Sequence, residues 1–307
     1  MKTPLFFTMQ IDCESTQHAI RDPALGERAI RGLGDVFSET STRGTFFVIP
    51  GDIAVHASIY KELETAGHEI GLHLHPADLG YDEFLGVQSG ETQKKIISEA
   101  ADRFSQAMGR KPLSFCPGYC SANDFAFGVL EELGFTHGTV SMPTRNLPQC
   151  ACVWGSSSLD PRYPHRYNKS LLGDVDFVDL PPTVDPDSRM WGGGHPLDLR
   201  VELVDAKNHW YTMDKAVQRQ ILQDTSLRQI HALTHNVFDY LDPKNFRRET
   251  YVGIVKAARQ IAERESLKFQ AATLADLAAA YRKAVPLKLA APVKLKLDTH
   301  GRKFNRS

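Results

Sequence analysis

The chain has 307 residues, which is enough for one large domain or two small ones. Hydrophobic residues make up 42% and charged residues 24%, a composition that excludes a disordered or fibrous protein. Lys plus Arg total 36 and Asp plus Glu total 37, so the formal charge of −1 gives no electrostatic reason to expect nucleic acid or a membrane surface as a partner. No apolar run reaches the ~20 residues that a membrane-spanning helix needs. Five cysteines argue against a disulfide scaffold and predict a cytoplasmic location.

Short apolar runs alternate with amphipathic stretches along the chain. The predicted strands are residues 5–11, 45–49, 69–73, 113–116, 138–140, 175–180, 230–235 and 268–271. The predicted helices are residues 23–37, 57–66, 91–108, 123–133, 213–222, 246–265 and 274–281. This alternation predicts a parallel sheet covered by helices, and about eight strands permit a (β/α) barrel.

Two regions break the alternation. Residues 142–209 are rich in proline, glycine, aspartate and aromatic residues, and such long segments in compact domains are often functional rims or lids. Within this insert, Trp191 offers an aromatic face that suits stacking on a sugar ring, and residues 185–194 resemble a mobile loop. Residues 286–307 form a basic tail, which we expect to be a solvated extension, with contact to a partner as the alternative.

Metal-ligating residue types stand at the ends of three predicted strands. Asp12 and Glu14 follow the first strand, His73 and His75 the third, and His235 ends the seventh. The carboxyl ends of barrel strands converge on one mouth, and positions i and i+2 of an extended chain face the same way. Each residue alone has a structural alternative, such as a hydrogen-bonded histidine or a capping aspartate. Together they predict a hydrolase site with a divalent ion of the zinc class.

The chain also carries a set of motifs in a fixed order: Ile11-Asp12-Cys13-Glu14, Gly44-Thr45-Phe46-Phe47, Gly67-His68-Glu69-Ile70-Gly71-Leu72-His73, Ser114-Phe115-Cys116-Pro117-Gly118-Tyr119 and Leu233-Thr234-His235. From about residue 3 to 285 it resembles the polysaccharide deacetylase superfamily (NodB homology, carbohydrate esterase family 4-like). The resemblance implies a distorted (β/α) barrel of about seven to eight strands over residues 1–285. Residues 142–209 would then be a loop-rich insert and residues 286–307 a C-terminal extension.

The resemblance also implies a function and roles for individual residues. The function is metal-dependent hydrolysis of a carbon–nitrogen amide bond other than a peptide bond, with one divalent ion, commonly zinc. Asp12 matches the general base, Glu14 the metal-binding acid and His73 the first metal-binding histidine. Tyr119 lies in the segment whose backbone N–H helps to hold the oxyanion, and His235 matches the general acid.

One departure from the family pattern concerns the metal ligands. The family's second metal-binding histidine follows the first by four residues, and that position here is Ala77. We therefore expect His75 to replace it, with Asp78 as the alternative.

A second departure concerns the support of the catalytic aspartate. Cys116 stands where the family usually has an arginine, and a thiol cannot supply a guanidinium fork. Either Arg145 or Arg189 of the insert supplies the charge, or the aspartate is less firmly held. Arg145, Arg189 and Trp191 are the candidate substrate-binding residues.

The sequence thus predicts a deacetylase-type hydrolase that acts on an N-acylated sugar or polysaccharide intermediate. One alternative is a catalytically silent barrel that only binds carbohydrate, which Cys116 favours. Another is a hydrolase of a small cyclic amide or ureide. The expected partner is a carbohydrate or small amide substrate, and a homo-oligomer is compatible with the sequence.

Overall fold

A long buried strand at the start of the chain organises the architecture in the computed structural model, which describes residues 2–188 and 195–294. The strands in this part of the chain are β1 (Pro4–Cys13), β2 (Gly44–Val48), β3 (Glu69–Leu74), β4 (Ser114–Pro117), β5 (His137–Gly138), β6 (Asn146–Leu147), β7 (Cys152–Val153), β8 (Pro164–His165), β9 (Asn168–Leu172), β10 (Val178–Asp179), β11 (Val184–Asp185), β12 (Leu197–Asp198), β13 (Arg228–His235) and β14 (Lys268–Ala271). The helices are α1 (Pro23–Thr40), α2 (Pro50–Thr65), α3 (Gly90–Met108), α4 (Ala126–Glu132), α5 (Ala206–Leu222), α6 (Phe246–Arg264) and α7 (Leu274–Ala284).

Eight strands form one curled parallel sheet in the order β10-β5-β4-β3-β2-β1-β13, and β14 also pairs with β1. The length of β1 lets two strands share one of its edges: β14 pairs with Pro4–Phe7 and β2 with Met9–Cys13. Each predicted strand overlaps one of these eight, and each predicted helix overlaps an observed helix. The predicted distorted (β/α) barrel is therefore confirmed.

The loop-rich insert supplies short antiparallel pairs instead of further barrel strands. These pairs are β6–β7, β8–β9 and β11–β12. Part of the insert also extends the barrel wall next to β13, where Arg200 forms a parallel bridge with Leu233. The bridge brings insert side chains to the carboxyl end of β13, which lies beside β1.

Both faces of β1 are buried, as expected for a parallel strand covered on both sides. Leu5, Phe7, Met9 and Ile11 belong to the large apolar core, whereas the alternate residue Phe6 belongs to a second, smaller cluster. Because side chains alternate along a strand, the face that carries Phe6 near one end also carries Gln10 and Asp12 near the other. That face leads to the mouth of the barrel.

Local sequence explains where several helices begin. The Asp22 side chain accepts a hydrogen bond from Leu25 N at 2.9 Å, and Pro23 occupies the first turn of α1. Helix α5 begins at Ala206, ahead of the predicted residue 213, because Asp205 caps it by accepting from Asn208 N. Helix α2 likewise begins earlier than predicted, with Pro50 in its first turn.

Among the helices that the structure describes, none is both long enough and apolar enough to cross a bilayer. Four predicted features lie wholly or partly outside the described residues. They are Arg189, Trp191, residues 189–194 of the expected mobile loop, and residues 295–307 of the basic tail.

Candidate active site

The ends of four strands of the sheet, β13, β1, β3 and β4, meet at one cleft. Asp12 of β1 is in register with His235 of β13, and His73 of β3 is in register with Cys116 of β4. Five side chains predicted from the strand ends line this cleft: Asp12, Glu14, His73, His75 and His235. The structure thus brings together groups that are far apart in the sequence.

Glu14 and two histidines form the closest group. The Glu14 Oε2 atom lies 2.9 Å from His75 Nε2 and 3.7 Å from His73 Nε2. One ligand atom from each of the three residues lies within 4.8 Å of the others. Both imidazoles are almost completely buried, with 2% and 4% of the residue exposed. One carboxylate and two imidazole nitrogens are a donor set that suits a zinc-class ion.

A partner behind each imidazole fixes its orientation. His73 Nδ1 lies 2.9 Å from the backbone carbonyl oxygen of Cys116, so Nδ1–H donates there and Nε2 faces Glu14. His75 Nδ1 lies 2.5 Å from Glu83 Oε1, and its Nε2 also faces Glu14. Metal-binding histidines characteristically have such a carbonyl or carboxylate behind the ring. The residues present therefore fit a bound divalent ion.

The charges of this group are strongly coupled. Burial alone would raise the pKa of Glu14, but the adjacent imidazoles of His73 and His75 and the charge of His235 hold it well below its usual value. Burial alone would lower the pKa of His75, but its hydrogen bonds to Glu14 and Glu83 raise it to about 10. A proton thus sits on His75 beside the Glu14 carboxylate, and a bound cation would take its place.

Gln10 holds the Asp12 carboxylate. Its Nε2 atom donates to Asp12 Oδ1 at 2.6 Å and lies 3.3 Å from Cys116 Sγ. The expected guanidinium support from Arg145 is not what the structure shows, because the Arg145 Nη2 atom donates to Asp198 instead. Gln10 was not predicted, although its position two residues before Asp12 on the same strand face was a usable signal.

His235 is held by a carboxylate from the insert. Its Nδ1 atom lies 2.5 Å from Glu202 Oε1, whereas its Nε2 atom lies 3.8 Å from Glu14 Oε1. Burial alone would lower the pKa of His235, but the charge and hydrogen bond of Glu202 raise it to about 9. His235 is therefore protonated near neutral pH. Glu202 was missed because the loop-rich insert carries no periodicity that places it.

The turn after β4 packs around His75. Tyr119 and Cys120 are consecutive non-glycine residues with φ angles of 58° and 53°, a left-handed conformation that side chains disfavour. The Tyr119 ring meets the His75 ring edge-on at a centroid distance of 5.4 Å. A Cβ atom on Gly118 would lie 2.5 Å from His75 Cε1, so only glycine fits there.

A second group, Asp12, His73 and Cys116, also has ligand atoms within 4.8 Å of one another. Burial and the nearby Asp12 charge raise the pKa of the Cys116 thiol well above its usual value, so this sulfur is a protonated and poor ligand. Asp78, the alternative third ligand, belongs to neither group and instead lies 3.7 Å from His18.

Two arginines also line the cleft. Arg145 and Arg200 line it together with Met142 and Leu233, and the volume of the cleft is about 170 Å³. Arg200 was not predicted. A larger groove of about 600 Å³ lies between α1 and α2, but neither of the two acid–histidine groups lines it. We therefore place the candidate site in the smaller cleft.

Comparisons with known proteins agree with the predicted resemblance. The family model for polysaccharide deacetylase matches residues 26–138. No curated protein matches the sequence.

Solved structures share the fold at low sequence identity. A protein assigned as a polysaccharide deacetylase from Mycobacterium smegmatis is 18% identical, with a TM-score of 0.60 over 97% of this chain and 95% of that one. A probable polysaccharide deacetylase from Pseudomonas aeruginosa PAO1 is 12% identical, with a TM-score of 0.59 over 92% and 91%. Puue allantoinase is 12% identical, with a TM-score of 0.60 over 92% and 90%. The family match and the shared fold together confirm the resemblance to the polysaccharide deacetylases that the motifs predicted.

Proposed function

We propose that this protein is a metal-dependent hydrolase of deacetylase type that cleaves a carbon–nitrogen amide bond of an N-acylated sugar or polysaccharide intermediate. The observation that carries the proposal is the convergence of Glu14, His73 and His75 on one point, with Asp12 and His235 beside it. The family match over residues 26–138 supports the same reaction class.

Glu14, His73 and His75 would hold one divalent ion, and zinc suits this donor set. When bound, such an ion lowers the pKa of a water molecule and polarises the amide carbonyl. The protein itself contributes three metal-ligand atoms in fixed positions. Cys116 O and Glu83 hold the two imidazoles in the orientation that binding needs.

Proton transfer requires a base and an acid on the two sides of the scissile bond. The Asp12 carboxylate, held by Gln10, is placed to accept the proton of the attacking water. His235 is held protonated by Glu202 and would donate its Nε2 proton to the leaving nitrogen, because an amine leaves poorly until it is protonated. The segment at Tyr119 would stabilise the oxyanion through a backbone N–H.

Contacts with the rest of the substrate would come from the insert. Arg145 lines the cleft, which supports its proposed role in binding. We keep Arg189 and Trp191 as proposed contacts, although both lie outside the described residues. All five cysteines lie within the described residues and are free, which supports the proposed cytoplasmic location.

The size of the cleft favours a second candidate, the hydrolysis of a small cyclic amide or ureide. A volume of about 170 Å³ is below the ~300–1,000 Å³ of sites that take drug-sized ligands. Puue allantoinase has the same fold. In this candidate the roles of Asp12, Glu14 and His235 are unchanged, and only the substrate differs.

The test is an assay of zinc-loaded and zinc-free protein on N-acetyl sugars and on small cyclic amides. We expect turnover that depends on added metal and that falls by about 10²–10⁴-fold in Asp12→Asn, with the zinc content unchanged. Asp224→Asn, a change at a highly exposed side chain, is the matched control. No metal-restored turnover on any substrate would refute the proposal. Sugar binding that survives Asp12→Asn without any hydrolysis would instead identify a silent binding barrel.

A further inference from the structure

Two arginines that line the cleft share a single carboxylate oxygen. The Nη2 atom of Arg145 lies 2.6 Å from Asp198 Oδ2, and the Nη2 atom of Arg200 lies 3.4 Å from the same atom. Burial alone would raise the pKa of Asp198, but the charges of Arg200 and Arg145 lower it, so Asp198 is ionised. One carboxylate, that of Asp198, is therefore shared by two guanidinium groups.

The other acids of the cleft have partners of their own. Glu202 contacts His235, Glu14 contacts His75, and Asp12 accepts from Gln10. None of these carboxylates forms an ion pair within 4.0 Å of Arg145 or Arg200 in the described part of the chain. Among ion pairs within 4.0 Å, the two guanidiniums thus have only the Asp198 carboxylate in the described part of the chain, although the charges of Glu202 and Asp12 also act on Arg200.

One buried donor of each arginine has no hydrogen-bond partner in the described part of the chain. The Nε atoms of Arg145 and Arg200 are buried and have no hydrogen-bond partner among the described residues. The Arg145 side chain is 6% exposed, and both arginines line the cleft. A buried guanidinium with unpaired N–H groups is costly, and an anionic ligand is the group that would satisfy it.

We propose that the cleft is specific for a small N-acyl or ureido compound that carries an anionic group, a carboxylate or a phosphate, bound by Arg145 and Arg200. This inference rests on the proposed hydrolase function and names its substrate class. The acidic group would lie against the two guanidiniums while the amide bond lies near Asp12 and His235. The volume of about 170 Å³ limits the occupant to a single small unit.

A purely structural role is the competing explanation, because the three residues also link parts of the insert to one another and to β13. Arg145 precedes β6, Asp198 ends β12, and Arg200 bridges to β13. A structural link would affect charged and neutral ligands alike. An anion site would affect only the charged ones.

The experiment measures calorimetric affinity and kcat/KM on the zinc-loaded full-length protein with four probes. N-acetylglycine and N-acetylglycinamide differ in one carboxylate, and N-acetylglucosamine 6-phosphate and N-acetylglucosamine differ in one phosphate. We expect the charged member of at least one pair to bind about tenfold or more tightly than its neutral partner, and the pair that shows the preference identifies the anion.

Arg145→Gln and Arg200→Gln should each weaken binding of the charged probe by about 10–100-fold while neutral probes change by less than about twofold.

Two further variants separate recognition from folding. Asp198→Asn should tighten binding of the charged probe, because it releases both guanidiniums, whereas the loss of a structural link would weaken binding of every probe. Arg219→Gln is the matched control: Arg219 also pairs with an insert aspartate, Asp160, but does not line the cleft. It should leave all four affinities unchanged.

The outcomes distinguish this inference from the proposed function. Equal affinity for the charged and neutral members of both pairs, or equal losses for both in Arg145→Gln and Arg200→Gln, would overturn the anion site. Hydrolysis of neutral probes without any preference would leave the hydrolase function standing and remove only this inference. Arginine-dependent binding of an anion without hydrolysis of any probe would keep the anion site and refute the hydrolase.

Discussion

Asp12 and His235 are directly paired across two adjacent parallel strands, β1 and β13. The candidate base and the candidate acid therefore enter the cleft at the same level, each supported by a different neighbour. Gln10 holds Asp12 from within its own strand, and Glu202 holds His235 from the insert. The backbone register thus fixes the spacing of the two proton-transfer groups. Gln10 and Glu202 hold the two side chains in place by hydrogen bonds.

Removing a proposed ligand should abolish metal binding and activity together. We expect His73→Ala to lose bound zinc, because the change removes one of the three ligand atoms that converge at Glu14. Elemental analysis of the purified variant measures this, with His18→Ala as the control because His18 is largely exposed. Retention of one zinc per chain in His73→Ala would show that the ligand assignment is wrong.

Substitution of Gly118, the glycine beside His75, should weaken zinc binding even though Gly118 is not itself a ligand. In Gly118→Ala the new Cβ would lie 2.5 Å from His75 Cε1, so the imidazole or the turn must move. We expect zinc affinity to fall by about 10–100-fold, the size of effect known for displaced supporting groups. Gly128→Ala in α4 is the matched control, because a Cβ atom added there would meet nothing within 4 Å. Unchanged zinc affinity in Gly118→Ala would contradict the close packing of the turn against His75.

Replacing Gln10 should lower kcat and leave metal binding unchanged. In Gln10→Leu the Asp12 carboxylate loses its 2.6 Å hydrogen bond, so we expect kcat to fall by about tenfold at nearly constant KM. Zinc content should match that of the wild type, since Gln10 is not one of the three proposed ligands and its described hydrogen bonds go to Asp12 and Cys116. Steady-state kinetics on a hydrolysed substrate checks the split. An equal kcat in the variant would mean that Gln10 does not position Asp12.

Stability should fall in acid because of a buried pair at the opposite end of the barrel. Glu69 Oε1 lies 2.7 Å from His137 Nε2; burial alone would raise the pKa of Glu69, but the charge and hydrogen bond of His137 lower it to about 2. Because the folded pKa is below the unfolded value of 4.5, this stabilisation is present above pH 4.5 and is lost as the pH falls towards 2. It is on the order of 3 kcal/mol.

Urea unfolding of wild type and Glu69→Gln at several pH values measures this contribution. The difference in unfolding free energy between the two proteins should shrink as the pH falls from about 5 to about 2. A constant difference over that range would show that the Glu69 carboxylate does not contribute as described.

The barrel and the residues at the ends of its strands could be predicted from the sequence. Alternation of apolar runs located the strands, and the rule that parallel strands end at one mouth placed Asp12, Glu14 and His235 in one cleft. The i, i+2 spacing put His73 and His75 on one side of the chain. The strand pattern and the i, i+2 spacing each lie within a short segment, so they can be read from the sequence.

The supporting residues could not be predicted in the same way. Glu83 lies between two short 3-10 turns, and Arg200 and Glu202 lie in the insert, where no repeating pattern indicates orientation. Their positions depend on long-range pairing, such as the bridge between Arg200 and Leu233. Cys116 drew attention to a missing arginine, but it gave no indication that a carboxamide from Gln10 would take over the contact with Asp12.

Anomalous diffraction at the zinc edge, from crystals grown with zinc, shows directly whether Glu14 and the two imidazoles hold the ion. We expect one peak in the cleft at about 2.0–2.2 Å from Glu14, His73 Nε2 and His75 Nε2. A peak held instead by Asp12, His73 and Cys116, or no peak in the cleft at all, would contradict the proposed metal centre.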